Sequence, residues 1–221
     1  MSFYSFVEGP LLWIAILTFI IGSLIQAVLF FSLSRKKDKI IYEHFSLKYV
    51  LATFFKWLLP INRTVGKNPI FTILGYIFHI CLIVVPIWLA GHIMLWEESR
   101  FEWYWTPIPD SLADWMTLIF LAIAVFFLLR RLISPDIRLI STFSDYFLLV
   151  VTALPYATGY FLTHGTLDHV AFLSGNMQLI HMLSGELMLI LIPFTKLSHF
   201  ILFFFSRAST GIEFGRRGYS V

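Results

Sequence analysis

Residues 178–205 read QLIHMLSGELMLILIPFTKLSHFILFFF, and this stretch decides the fold. It is apolar over more than the 20 or so residues that a helix needs to cross a bilayer. Yet it carries His181, Glu186, Lys196 and His199. Ionisable residues inside a membrane segment are costly and read as functional by default. His181 and His199 are 18 residues apart, five turns of an unbroken helix. On such a helix both rings share one face and lie about 27 Å apart along the axis. The hydrocarbon core is about 30 Å thick, so one imidazole is expected near each of its edges.

The rest of the 221-residue chain agrees with a membrane setting. It is 58% hydrophobic and 13% charged, against roughly 25% charged in an ordinary soluble domain. Five stretches are long and apolar enough to span, at about 11–33, 69–95, 112–129, 146–162 and 178–205. The fourth is short and contains Pro155 and Gly159. The expected fold is a single all-α integral membrane domain, a five-helix bundle over 1–221. The first apolar run follows no basic segment and precedes no small-residue cleavage site, so it reads as a retained helix.

Charge placement predicts the topology. Arg35, Lys36, Lys37, Lys39, Lys48, Lys56, Arg63 and Lys67 follow the first span, Arg130, Arg131 and Arg138 follow the third, and Arg207, Arg216 and Arg217 lie in the tail at 206–221. The alternate connections are poor in Lys and Arg, with Arg100 set beside Glu97, Glu98 and Glu102. The positive-inside rule puts the N-terminus outside and the C-terminal tail in the cytoplasm, in a multi-pass protein of the inner (cytoplasmic) membrane. Residues 45–59, FSLKYVLATFFKWLL, mix lysines with aromatics and read as an amphipathic helix in the cytoplasmic interface. Trp96, Trp103, Tyr104 and Trp105 mark the outer interface.

His79 and His92 in the second span complete a set of four membrane histidines. They are 13 residues apart and out of phase on a regular helix. Pro86 and Gly91 lie between them, and a proline kink or local unwinding would re-aim one ring. Antiparallel spans two and five bring His79 level with His199 toward the cytoplasm, and His92 level with His181 toward the outside. Two imidazoles at each of two depths suit two haem b groups with paired axial ligands, an inner His79/His199 and an outer His92/His181. A zinc site lacks its four ligands. The single cysteine, Cys81, excludes an internal disulfide or an iron–sulfur cluster. No nucleotide loop, catalytic triad or paired-carboxylate site is present, and no nucleic-acid partner is expected.

These residues resemble a known family. Phe78-His79-Ile80 with Gly91-His92, the basic turn RRLISPDIRLISTFSDY at 130–146, and His181 followed by PFTKLSH at 193–199 are similar to the gamma subunit of respiratory nitrate reductase, a five-helix dihaem cytochrome b. The likeness covers about 68–207. The PFTKL wording and the long basic segment before the second span look more like the heterodisulfide-reductase-type and dissimilatory sulfite-reduction cytochromes. The two histidines of the second span are further apart than in nitrate reductase gamma subunits, and the outer loop WTPIPDSLAD lacks a basic residue that some relatives place near quinol. The resemblance implies that all four histidines are axial ligands.

Around them, Lys196 is a candidate partner for an inner haem propionate, with Arg130 and Arg131 as further candidates. Ser184 and Gly185 are small enough to admit a haem face to the backbone. Glu186 is expected to be neutral or paired, as a partner of an outer imidazole or a proton relay. His92, Trp96, Arg100 and His164 are candidates for an outer quinone pocket; His44 and His169 read as surface residues. The expected function is electron transfer between a quinol/quinone pool, with menaquinone as the expected quinone, and cytoplasmic iron–sulfur or catalytic subunits of a larger quinol-linked oxidoreductase complex. A proton-relay transporter and a haem-free membrane anchor are the alternatives.

Overall fold

The computed structural model describes residues 2–59 and 67–219. Arg63, counted above among the basic residues, lies outside the described residues. The described residues form helices joined by turns and loops, without strands. In chain order the helices are α1 (Leu12–Lys37), α2 (Lys39–Glu43), α3 (Leu47–Leu58), α4 (Pro69–Trp88), α5 (Ala90–Glu97), α6 (Asp110–Ile133), α7 (Pro135–Ile140), α8 (Phe143–His164), α9 (Ala171–Ser174), α10 (Met177–Leu191) and α11 (His199–Arg216). A turn at Phe3–Phe6, capped by the Ser2 hydroxyl, and a π-helical turn at Val7–Leu11 lead into α1. The π turn accommodates Pro10, which has no N–H to give the ladder.

Phe3–Lys37, α4, α6 and α8 are long and apolar enough to cross a membrane, and α10 with the segment Lys196–Arg216 passes the same test as a pair bent by 73°. The described residues thus hold four candidate spans, or five with the bent pair counted as one. The chain is a helical, multi-pass membrane protein. Large apolar side chains such as Ile21, Leu24, Val28 and Ile83 are more than half exposed, as bilayer-facing positions are.

The contacts group the chain into two compact units. The first comprises Met1–Pro69 and Glu186–Val221. In it the fifth expected span is not one straight helix. Pro193 lacks the N–H to continue α10, Thr195 Oγ1 donates to Leu191 O at 2.7 Å, and a 3₁₀ turn at Lys196–Ser198 starts the chain in a new direction. The expectation that His181 and His199 share one face of a continuous helix is therefore corrected. The break is received by α1. Gln26 Nε2 donates to Pro193 O at 3.0 Å, and Gly22 leaves the room that Pro193 fills, since a Cβ there would meet its ring at 2.7 Å.

The amphipathic segment forms α3, and its inner face packs on α11. Gly211 and Gly215 of α11, one turn apart, receive Thr53 and Tyr49. Such small-residue notches let helix backbones approach closely. Phe54 stacks on Phe204 at 5.0 Å, and the Arg207 guanidinium lies 3.8 Å from the centre of the Trp57 ring. Beyond the apolar part of α11, Arg216 donates two hydrogen bonds to Glu213, at 2.9 and 3.0 Å, and Arg217 pairs with the same carboxylate. The Arg216 bonds hold the Glu213 carboxyl below the usual carboxylate range.

The second unit, Ile70–Gly185, has its core between α4, α6 and α8. Phe78, Cys81 and Val85 meet Phe120, Ile123, Ala124 and Tyr156. Phe78 stacks on Phe120 at 4.5 Å, and Phe120 meets Tyr156 at 4.0 Å. A capping box of Thr142 and Asp145 starts α8, and Gly165 in the left-handed region ends it. One end of this unit carries Arg130, Arg131 and Arg138. The other carries Asp110, Asp114 and the α4–α5 break.

Candidate functional site

The site is built at that break. Pro86 gives no N–H to Leu82 O, so this buried carbonyl needs a donor from elsewhere. The Tyr156 hydroxyl of α8 supplies it at 2.5 Å. Three residues on, Leu89 leaves the helix for an extended conformation (ψ 131°), and α4 ends. Its last carbonyls are then met one by one. His92 Nδ1 donates to Pro86 O at 2.9 Å, Trp105 Nε1 to Ile87 O at 2.9 Å, and Ile108 N to Trp88 O at 3.0 Å. The extended residue resets the helical phase, so the 13-residue spacing from His79 no longer governs where His92 points.

His181 arrives from α10. Its Nδ1 faces Pro155 O at 3.0 Å and Thr158 Oγ1 at 3.2 Å, both on α8. Thr158 also donates to Leu154 O at 2.9 Å and meets Ser184 Oγ at 3.2 Å. Gly159 makes the approach possible, because a Cβ there would stand 3.0 Å from His181 Cε1 and 3.3 Å from Nδ1.

The two histidines meet. Their ring centroids are 6.0 Å apart and their planes are within 8° of parallel. A carbonyl only accepts, so the Nδ1 that faces it carries the proton. In each neutral ring the lone pair then sits on Nε2, the nitrogen available to a metal. A carbonyl on the far nitrogen is the usual way a ligand imidazole is oriented. Among the described residues no cluster of three or more His, Cys, Asp or Glu side chains is placed to hold a metal. The donor set here is two imidazoles.

The other candidates are placed as follows. His79 Nδ1 donates to Gly75 O at 2.7 Å on α4, and His199 Nδ1 to Lys196 O at 2.8 Å at the start of α11. They belong to the second and the first unit respectively. Lys196 lies in the 3₁₀ turn after the Pro193 break. Arg130 lies over the Phe71 ring at 4.3 Å, and Arg131 donates to Ser141 Oγ at 2.9 Å. Ser184 is buried and bonded to Thr158 and to His181 O, and a Cβ on Gly185 would meet nothing within 4 Å. Glu186 is 3% exposed, and neither carboxyl oxygen has a hydrogen-bond partner among the described residues. Trp96 stacks on Trp103 at 5.8 Å beside Phe101, Arg100 is exposed, and His164 stacks on Tyr160 at 4.1 Å while facing Asp114 at 3.4 Å.

Both histidines of the pair stand out in the sequence, but what seats His181 does not: Pro155, Thr158 and Gly159. The run PYATG was visible as a proline and a glycine inside a short span. Its role depends on α10 crossing it, which local sequence does not report.

A curated protein of Nitratidesulfovibrio vulgaris, recorded under the bare name "Protein", is 35% identical over 221 residues, which cover 97% of this chain and 95% of that protein. The chain belongs to that protein's family. The relative's name states no activity. No family model and no solved structure matches the chain.

Proposed function

We propose that this family member is a dihaem cytochrome b subunit that carries electrons across the membrane. The observation behind the proposal is the His92/His181 pair. A metal held by both imidazoles would keep the ring centres roughly 6 Å apart. The pair stands at 6.0 Å, with each Nδ1 turned to a carbonyl. The donor chemistry fits a haem that His92 and His181 would hold, with Gly159 leaving the room that the His181 ring occupies. His79 and His199 each turn Nδ1 to a carbonyl as well, the orientation of a ligand imidazole.

Haem bound at these histidines supplies one-electron transfer. The chain's own part is to fix the ligands. The α4 break presents His92, and Pro155, Thr158 and Gly159 seat His181. With the basic connections in the cytoplasm, the His92/His181 pair lies toward the outside. Quinol or quinone, with menaquinone as the assigned pool, meets the chain at that end, beside Trp96 and the outer loop. The cytoplasmic face meets an iron–sulfur partner. The membrane is then the inner one, and the likeness to nitrate reductase gamma and heterodisulfide-reductase-type subunits points the same way.

Reduced-minus-oxidised absorption spectroscopy tests the proposal on the purified full chain. About two b-type haems per chain are expected. His181→Ala is expected to remove one and leave the other. A colourless preparation sinks the proposal, as does a His181→Ala protein with the full haem complement.

A further inference from the structure

A second site lies in the first unit, between α3 and the end of α11. A cavity of about 360 Å³ is lined by Lys48, Tyr49, Ala52, Thr53 and Lys56 on one side, and by Gly211, Gly215, Gly218 and Tyr219 on the other. Its lining holds two cations, two phenols and a threonine, and no acid. Glu213, the acid on α11, is tied to Arg216 and Arg217.

The surface beside the cavity indicates what fills it. Leu47, Leu51, Phe55 and Leu58 form one stripe of α3, exposed by 59, 46, 60 and 60%. Moving round the helix from that stripe, Lys48, Ala52 and Lys56 come next, followed by Tyr49 and Thr53, which pack toward α11. The two lysines are just over two turns apart, about 12 Å along the axis. One ligand therefore has to offer apolar chains to the stripe and an anionic group to the lysines beside it. Lipid chains against the stripe and a phosphate between Lys48 and Lys56 meet both demands. A free phosphate meets only the second.

We infer that the α3–α11 cavity binds the phosphate headgroup of an anionic phospholipid, whose chains lie along Leu47, Leu51, Phe55 and Leu58. The inference is independent of the haem assignment and needs only the membrane setting. Basic pockets at a membrane surface select acidic headgroups in this manner.

The full-length protein, extracted in mild detergent, is exchanged against equimolar phosphatidylglycerol and phosphatidylcholine, and retained lipid is counted by native mass spectrometry. The wild type is expected to keep phosphatidylglycerol by about tenfold over phosphatidylcholine. Lys48→Gln with Lys56→Gln is expected to abolish the preference. Ala52→Trp, which fills the cavity without changing charge, is expected to do the same. Lys36→Gln with Lys37→Gln, away from the cavity, is expected to keep it. Millimolar inorganic phosphate is expected to leave the bound lipid in place. Equal retention of the two lipids overturns the inference. So does an equal loss in the Lys36/Lys37 variant, which marks a diffuse basic surface, and so does displacement by inorganic phosphate, which marks a free-anion site.

Discussion

Gly159 is the most exacting point at which to perturb the histidine pair. An alanine Cβ there would sit 3.0 Å from His181 Cε1. Carbon atoms settle at about 3.5–4.0 Å, so the ring has to retreat by roughly 0.5 Å. That ring is pinned by Nδ1 to Pro155 O at 3.0 Å, with Thr158 Oγ1 at 3.2 Å. A retreat of this size stretches the first bond to about 3.5 Å, beyond useful hydrogen bonding. The loss is about 0.5–1.5 kcal/mol, a weakening of the held ligand by roughly 2- to 12-fold. Gly159→Ala is thus expected to keep haem while releasing it more readily in a dilution or chelation assay. Gly159→Leu places its branch where the imidazole stands, and is expected to halve the haem per chain in the reduced-minus-oxidised spectrum. Thermal unfolding in detergent separates this from general collapse, because Gly159 is outside the core cluster around Phe78, Phe120 and Tyr156. A Gly159→Leu protein with full haem, an unchanged spectrum and an unchanged melting point would refute the reasoning.

Other expectations follow from the same contacts. Tyr156→Phe strips the donor from Leu82 O and is expected to destabilise the second unit by about 0.5–2 kcal/mol, read by denaturant titration in micelles. Gly211→Leu drives a side chain into the Tyr49 backbone carbonyl, which a Cβ alone would meet at 2.8 Å; it is expected to lift α3 off α11 and expose Lys48 and Lys56 to trypsin. Glu213 has a folded value below its ordinary 4.5, so its pairing contributes fully above that value and is lost as pH falls through the lower one. The Glu213 side-chain carboxyl resonance, followed by NMR through a pH titration, is expected to stay unchanged from neutral pH to about pH 5 and to move only in stronger acid.

Hydropathy alone made the helical membrane architecture legible, and the alternation of lysines with aromatics at 45–59 marked α3. The histidines stood out because charge-capable rings are rare in apolar runs. What stayed hidden was where the helices stop. Pro193 lies in a run whose hydropathy never falls, and prolines are common in spans whose neighbours satisfy the freed groups. Only Gln26, far away in sequence, reveals that the chain turns there. Pro86 and Gly91 pointed to a re-aimed His92. The means, an extended Leu89 and a carbonyl handed to the ring itself, depends on the acceptor that α4 leaves open. For His181 the acceptor sits on α8, 26 residues back, and no periodicity within α10 points to it.

The α4–α5 elbow has a mechanical consequence. Its freed carbonyls draw donors from Tyr156, His92, Trp105 and Ile108, residues on α8, on α5 and in the loop before α6. Straightening the elbow would return the Pro86, Ile87 and Trp88 carbonyls to the helical ladder and strand the His92 ring N–H, the Trp105 indole N–H and the Ile108 N–H at once, so the joint has no cheap partial opening. It behaves as a weld and not as a hinge, and anything seated against His92 inherits that stiffness.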